Sequence, residues 1–324
     1  MGNITKTNIS GLSKEEWLEL RKQSIGGSEV SAIVGLNPYA SAYSLWAERT
    51  GRTPAFEGNL RTRIGEALED TVARLFTDAS GIAVQRTNFI WYNSDYPHMH
   101  ASPDRLSVSG KIGLEIKTTS AFNNDKFRGE EFPAQYYAQA VQYMGVLEYP
   151  EWYIAVLIGN HALKIYQLVR DESIPRPEWV NGRLLVEDGE LTALRDACAD
   201  FWTHLENDTP PYIDGSQATT DALDAVFEAA DNTPEPMTFF GRDSLIDEWF
   251  DIKAKADALE DRKNEIKNIL CADMGLCEVG LCGDHKVTWK NQTRNTFDSK
   301  KAVKEHPELA GYYKTSVTRV FFIK

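Results

Sequence analysis

The chain has 324 residues, 42% of them hydrophobic and 26% charged, with a net charge of −13. That composition excludes a disordered or fibrous chain, and the acidic balance argues against a protein that coats nucleic acid with a broadly basic surface. No apolar run is long enough to cross a bilayer, the opening MGNITKTNIS matches neither a secretory signal nor a myristoylation site, and the four cysteines (Cys198, Cys271, Cys277, Cys282) have no framework spacing; a reducing cytoplasm is the expected location.

Taken in chain order, Ser13 and Glu16 form a capping box for a helix carrying Trp17, Leu18 and Leu20, which should end near Ile25-Gly26-Gly27. Ser28 then caps a second helix, Glu29 to Val34, stopped by Gly35 and Asn37-Pro38. A third runs from about Ala42 to Arg49. Ile64, Leu68, Val72, Leu75 and Phe76 give helical spacing from Arg63 to about Ala79, and Gly81 ends it. Ile82 to Tyr92 reads as a strand, as do Tyr96 to Ser107 and Lys111 to Thr118, joined at Ser109-Gly110. Pro133 to Val146 is a helix, Trp152 to Ile158 and Ala162 to Val169 form a hairpin across Gly159-Asn160, and Trp179 to Leu205 reads as one long helix. Residues 207–242 are rich in turn-forming dipeptides and read as a surface linker with one short helix. A charged helix from Leu245 to Leu270 follows, with Leu245, Trp249, Ile252, Ala256 and Leu259 on one face. Lys286 to Thr296, a short helix near Lys300 to Glu305 and Thr315 to Ile323 suggest a small β-α-β appendage. The expected domains are therefore a core over 1–206, the linker over 207–242 and a C-terminal module over 243–324.

Chemistry concentrates in Ser102-Pro-Asp104 and Leu114-Glu-Ile-Lys117. Glu115 and Lys117 are two apart, so on a strand they share one face while Leu114 and Ile116 take the other. On a random strand such a pair is usually a solvated ion pair. With Asp104 delivered from the neighbouring strand, it becomes a hard-oxygen site suited to Mg²⁺, with a lysine that can orient a water or stabilise charge on phosphorus. Gly26-Gly27-Ser28 at a helix start is a turn and cap, and it also offers backbone N–H groups to an anion. Gln139 and Tyr143 lie four apart on one helical face.

These motifs together resemble the lambda-type alkaline exonuclease family, also called YqaJ-like viral recombinases, within the PD-(D/E)xK nuclease superfamily. The ordered matches are Ile25-Gly-Gly-Ser28, Gly35-Leu-Asn-Pro-Tyr39, Gly65-Glu-Ala-Leu-Glu69, Ser102-Pro-Asp104, Leu114-Glu-Ile-Lys117 and Tyr137-Ala-Gln139, and they run from Arg21 to about Leu205. The resemblance implies an α/β restriction-endonuclease-like core, a twisted mixed sheet flanked by helices. It implies that Asp104, Glu115 and the Ile116 carbonyl bind the metal and that Lys117 is the catalytic lysine. It further implies that Glu69 contacts a water of the metal and that Gln139 lines the site. A second ligand falls on Asp95 if one residue is inserted, and otherwise on Ser94. His98 and His100 are either additional contacts or packed bystanders. Arg21 and Ser28 match positions that hold a terminal 5′-phosphate, with Ser102 assisting.

The activity so implied is a Mg²⁺-dependent (Mn²⁺ as a substitute) 5′-to-3′ exonuclease on double-stranded DNA ends, in the cytoplasm of a bacterial host. It would leave a 3′ strand for a single-strand annealing protein in phage-type recombination. A homo-oligomer, a trimeric ring, is implied, and no membrane. The alternatives are an endonuclease or single-strand exonuclease of the same superfamily, and a binding module that keeps the fold without cleavage. Cys271, Cys277, Cys282 and His285 lack the paired spacing of a common zinc site. Lys286, Lys290, Arg294, Lys300, Lys301 and Lys304 make the C-terminal module basic, as a DNA or partner contact or as a solvated face.

Overall fold

A computed structural model describes residues 2–228, 236–314 and 321–323. The chain divides into two compact units, Met1–Phe227 and Glu228–Lys324. The first contains β1 (Ile4–Asn8), α1 (Lys14–Arg21), α2 (Gly27–Ile33), α3 (Ala42–Arg49), α4 (Leu60–Ser80), β2 (Val84–Arg86), β3 (Phe89–Asn93), β4 (His100–Ala101), β5 (Arg105–Ser107), β6 (Ile112–Thr119), α5 (Ala134–Leu147), β7 (Glu151–Ile158), β8 (Ala162–Arg170), β9 (Glu178–Val180), β10 (Arg183–Val186), α6 (Asp188–Glu206) and α7 (Gln217–Val226). The second contains α8 (Asp243–Met274), β11 (Val279–Cys282), β12 (His285–Thr288) and α9 (Ser299–Glu305).

The expected mixed sheet flanked by helices is present. Seven strands run in the order β2-β5-β6-β7-β8-β10-β9, with β6/β7 and β8/β10 parallel and the other pairs antiparallel. A second sheet orders β1-β3-β4. Strand alternation sorts the two faces. Trp152, Ile154, Val156 and Ile158 of β7 join the cluster that includes Val141 and Met144 of α5, whereas Ala155, with Leu114 and Ile116 of β6, joins Val72 and Phe76 of α4. The sheet is thus sandwiched between α5 and α4. Because α5 links the parallel pair β6 and β7, it lies over the face on which Glu115 and Lys117 stand.

Several elements depart from the sequence expectation. The strand expected over Ile82 to Tyr92 breaks into β2 and β3, which enter different sheets. The strand expected over Tyr96 to Ser107 likewise breaks into β4 and β5. Ser102-Pro103-Asp104 lies between them, where proline has no N–H for a ladder. The long helix expected from Trp179 begins only at Asp188. Before it, Asn181 (φ +51°) and Gly182 (φ +75°) form the two-residue turn of the β9–β10 hairpin, a turn that requires left-handed φ at both positions. β1, unexpected from sequence, completes the second sheet against β3.

The expected surface linker starts as packed structure. Ala222 of α7 is buried, and the Thr219 hydroxyl donates to Ser41 Oγ, the N-cap of α3, at 2.7 Å from across the fold. In the second unit β12 and α9 stand where the first strand and the helix of the expected β-α-β arrangement fall, and β12 pairs with β11 in a hairpin. The strand expected over Lys286 to Thr296 is only its first few residues. The strand expected over Thr315 to Ile323 lies for the most part outside the described residues.

Candidate active site

β6 holds the centre of the site. Glu115 is 3% exposed, and its Oε1 accepts from Lys117 Nζ at 2.7 Å and from Gln139 Nε2 at 2.7 Å. Gln139 Oε1 accepts a second hydrogen bond from Lys117 at 3.0 Å. One side chain of α5 therefore fixes both the carboxylate and the ammonium. Lys117 also sits over the Tyr136 ring, 5.3 Å from its centroid.

Asp104, arriving from the loop before β5, accepts the Ile116 amide on Oδ2 at 2.7 Å. β5 pairs with β6 only as far as Leu114, so the next edge groups of β6 are left to other partners. The N–H and C=O of one strand residue point to the same edge, so the Ile116 carbonyl faces the Asp104 side. Glu69 of α4 stands beside them, held by Arg105 Nη1 at 3.3 Å, while Arg105 Nη2 reaches Asp70 at 2.5 Å.

Electrostatics mark this cluster as frustrated. Burial and the neighbouring Glu115 push the Asp104 carboxyl up to about 7. Burial also raises Glu115, against the pull of Lys117, and burial followed by Asp104 raises Glu69. Burial alone would lower Lys117, but Glu115 and Asp104 outweigh it and keep the ammonium charged. Glu115 Oε2 is buried without a hydrogen-bond partner. Two crowded carboxylates, one with a free buried oxygen, beside an edge carbonyl form a donor set that fits a hard divalent cation completed by water and phosphate oxygens.

Arg21 and Ser28 are brought together: Arg21 Nη2 donates to Ser28 Oγ at 3.3 Å, and its guanidinium stacks 4.7 Å from the Trp17 ring centroid. The helix start is corrected in detail. Gly26, not Ser28, is the N-cap of α2, and Glu29 reaches back to the Gly26 N–H at 2.7 Å. That amide is consumed, leaving Gly27 and Ser28 as the first-turn donors. This helix start is tied to the centre by α5. A Cβ at Gly27 would lie 2.4 Å from Tyr143 Cε1 and 2.9 Å from Gln139 Cγ, so α2 and α5 touch here through bare backbone. Gln139 Nε2 also reaches Tyr143 Oη at 3.3 Å.

The remaining expectations separate. Asp95 is exposed on the turn after β3, its amide bonded to Asn93, and no hydrogen bond or ion pair among the described residues joins it to Asp104, Glu115 or Lys117. It lies in the turn between β3 and β4 of the smaller sheet. Ser94 Oγ instead accepts the Asn3 amide at 2.8 Å. Ser102 is half-buried before Asp104. His98 stacks on Trp202 with ring centroids 5.3 Å apart. His100 is fully buried, bonded through Nδ1 to Ser24 Oγ at 2.8 Å; burial, with Arg21 and Arg49 nearby, lowers it to about 3 and keeps it neutral.

Residues that the sequence did not single out complete the frame. Gln142 donates to the carbonyls of Ile25 at 2.8 Å and His100 at 2.9 Å, and Ile25 pairs in parallel with Met99. The loop before α2 is thereby stitched to the strand that leads to Asp104. Arg49 clamps Glu29 and the carbonyls of Lys22 and Ser24. The available signal was a second glutamine one turn after Gln139, and an arginine directly after Asp104.

Residues 16–150 match the model of the YqaJ-like viral recombinase domain. The chain is 32% identical over 305 residues to the uncharacterized protein YqaJ of Bacillus subtilis (strain 168), covering 93% of this chain and 90% of the relative. An alkaline exonuclease from Laribacter hongkongensis superposes with a TM-score of 0.45 at 17% identity, covering 60% of this chain and 94% of that one. A phage-related exonuclease from Haemophilus somnus 129PT gives 0.42 at 13%, covering 57% and 96%. Those structural likenesses are too distant to carry weight, and the assignment rests on the relative and the domain model. The chain belongs to the YqaJ-like viral recombinase family.

Proposed function

We propose that this protein is a metal-dependent deoxyribonuclease that degrades double-stranded DNA from 5′ ends, leaving a 3′ single strand for an annealing protein. The observation that carries the reading is the continuous path from Arg21 and Ser28 through Gly27, Tyr143 and Gln139 to Glu115 and Lys117. An anion anchor and a hydrolytic centre share one support.

Asp104, Glu115 and the Ile116 carbonyl would hold Mg²⁺, with Mn²⁺ as a substitute, and the cation would supply positive charge to the phosphate oxygens of the substrate. Arg21, Ser28 Oγ and the amides of Gly27 and Ser28 hold the terminal 5′-phosphate. Lys117 Nζ orients the attacking water and stabilises charge gathering on phosphorus. Gln139 keeps that ammonium in place. The oxygen of water bonds to phosphorus as the bond from phosphorus to O3′ breaks, and the water proton ends on O3′. The freed nucleotide keeps its 5′-phosphate, and the strand that remains acquires a new one. Each cut thus regenerates the group that the anchor binds.

The test is digestion of linear duplex with 5′-phosphate ends, with and without Mg²⁺, beside nicked and closed circular DNA. Mononucleotide release from the linear duplex alone is expected. Cleavage of the closed circle would replace this reading with an endonuclease, and no cleavage with Mg²⁺ or Mn²⁺ would leave a binding module.

A further inference from the structure

α8 runs unbroken from Asp243 to Met274, and none of its residues is buried. One row of its positions, apolar except for Lys263, follows a repeat of 3.5 rather than 3.6. Steps of four and three alternate through Leu245, Ile252, Leu259 and Ile266 at one set of positions and Trp249, Ala256, Lys263 and Leu270 at the other. Such a pattern is the seam of a left-handed coiled coil, with Leu245, Ile252, Leu259 and Ile266 at d and the second set at a. Leu259 is 73% exposed, Leu245 and Ile252 57% each, and Ile266 45%. A helix with no buried face gains its stability from a partner. Among the described residues, Phe321 meets the seam near its start, 5.5 Å from Trp249 between ring centroids.

The charges beside the seam identify the partner. We infer that α8 is a self-association helix that pairs in parallel and in register with the same helix of a second copy of this chain. In that arrangement each g residue faces the e residue five positions on in the other helix. Glu248 then meets Lys253 of the second copy, and Lys255 meets Glu260; only Arg262 against Lys267 is unfavourable. The antiparallel arrangement would set the favourable Lys253–Glu260 pair against the unfavourable Lys255–Arg262 pair and leave Glu248 facing Ile269, one favourable contact fewer than the parallel one. Glu248, Lys253 and Lys255 make no ion pair among the described residues, so they are free to pair across the seam. Lys263, the one charge at an a position, is paired with Glu260 on its own helix, which moderates the meeting of two lysines at the seam. The residues assigned to cleavage and end binding lie in the other unit, so this inference and the nuclease reading fail separately.

Sedimentation of the full-length protein tests it. The wild type is expected at a multiple of the 36.5 kDa chain, and Ile252→Glu with Leu259→Glu is expected to reduce it to a single chain. Both positions are exposed and lie outside the first unit, whose unfolding in urea should be unchanged. Glu248→Lys should raise the dissociation constant by roughly tenfold, and adding Lys253→Glu to the same chain should restore it. A monomeric wild type, an oligomer indifferent to the seam changes, or a double charge reversal that fails to restore association would each overturn the inference.

Discussion

At the scale of single residues, the site is a set of charges that burial makes costly and that a cation and a phosphate would relieve. Lys117→Ala is expected to abolish cleavage while duplex-end binding persists, because the ammonium acts on charge that develops in the transition state; a gel-shift beside a digestion assay separates the two. Asp104 gives a pH prediction. Its carboxyl is pushed up to about 7 by burial and Glu115, so below that pH it carries a proton that competes with Mg²⁺. Cleavage should rise through about pH 7 and then level. The sign for stability is opposite. An unfolded Asp104 releases its proton near its ordinary range while the folded one retains it, so the metal-free protein loses stability as pH rises toward 7. Mg²⁺ should therefore raise the melting temperature more at pH 8 than at pH 6, and Asp104→Asn should remove that difference. The proposed end preference rests on Arg21. A charge-assisted phosphate bond contributes about 1.5–3 kcal/mol, so wild type should favour 5′-phosphate over 5′-hydroxyl ends by roughly one to two powers of ten. Arg21→Ala should erase most of that, and equal wild-type rates on both ends would remove the anchor.

At the scale of elements, the site depends on how α2 rests on α5. Gly27 has no side chain to separate them, and Tyr143 and Gln139 occupy the space a Cβ would need. Gly27→Ala is expected to cost about 1–3 kcal/mol through overpacking, visible in urea unfolding. By shifting Gln139 against Lys117, it should lower the cleavage rate by roughly ten- to a hundredfold. Normal cleavage in a destabilised Gly27→Ala protein would show that α5 holds Gln139 without help from α2. Local sequence made α5 readable as a helix and marked Gln139 and Tyr143 as sharing a face. It did not show that α2 would seat there, because that contact joins segments more than a hundred residues apart.

At the scale of the molecule, the first unit closes with α7. A chain ending at residue 227 retains the Thr219–Ser41 hydrogen bond and buried Ala222. One ending at 206 loses both, together with the half-buried Leu223 and Val226 packed on the core. The shorter chain is expected to be less stable by about 2–4 kcal/mol, from the lost apolar area and hydrogen bond, whereas the longer one should unfold as cooperatively as the full chain. Equal stability of the two would return α7 to the surface linker that composition suggests.

The sequence by itself determined the face shared by Glu115 and Lys117, since strand alternation is local. It also determined the order of the family motifs and the helices whose caps and periodicity are self-contained, such as α1 with its Ser13–Glu16 box and α4 ending at Gly81. Only the tertiary structure decided where the chain leaves one sheet for another around Pro103, that Asp104 grips the Ile116 amide, and that Asp95 remains apart. It also decided that Gln142 sews Ile25 to His100 across 117 and 42 residues of chain. The physical reason is the same in each case. Alternation, capping and turn propensity are energies of neighbouring residues, whereas a buried polar group takes the partner that packing presents to it, and no local pattern records which one that will be.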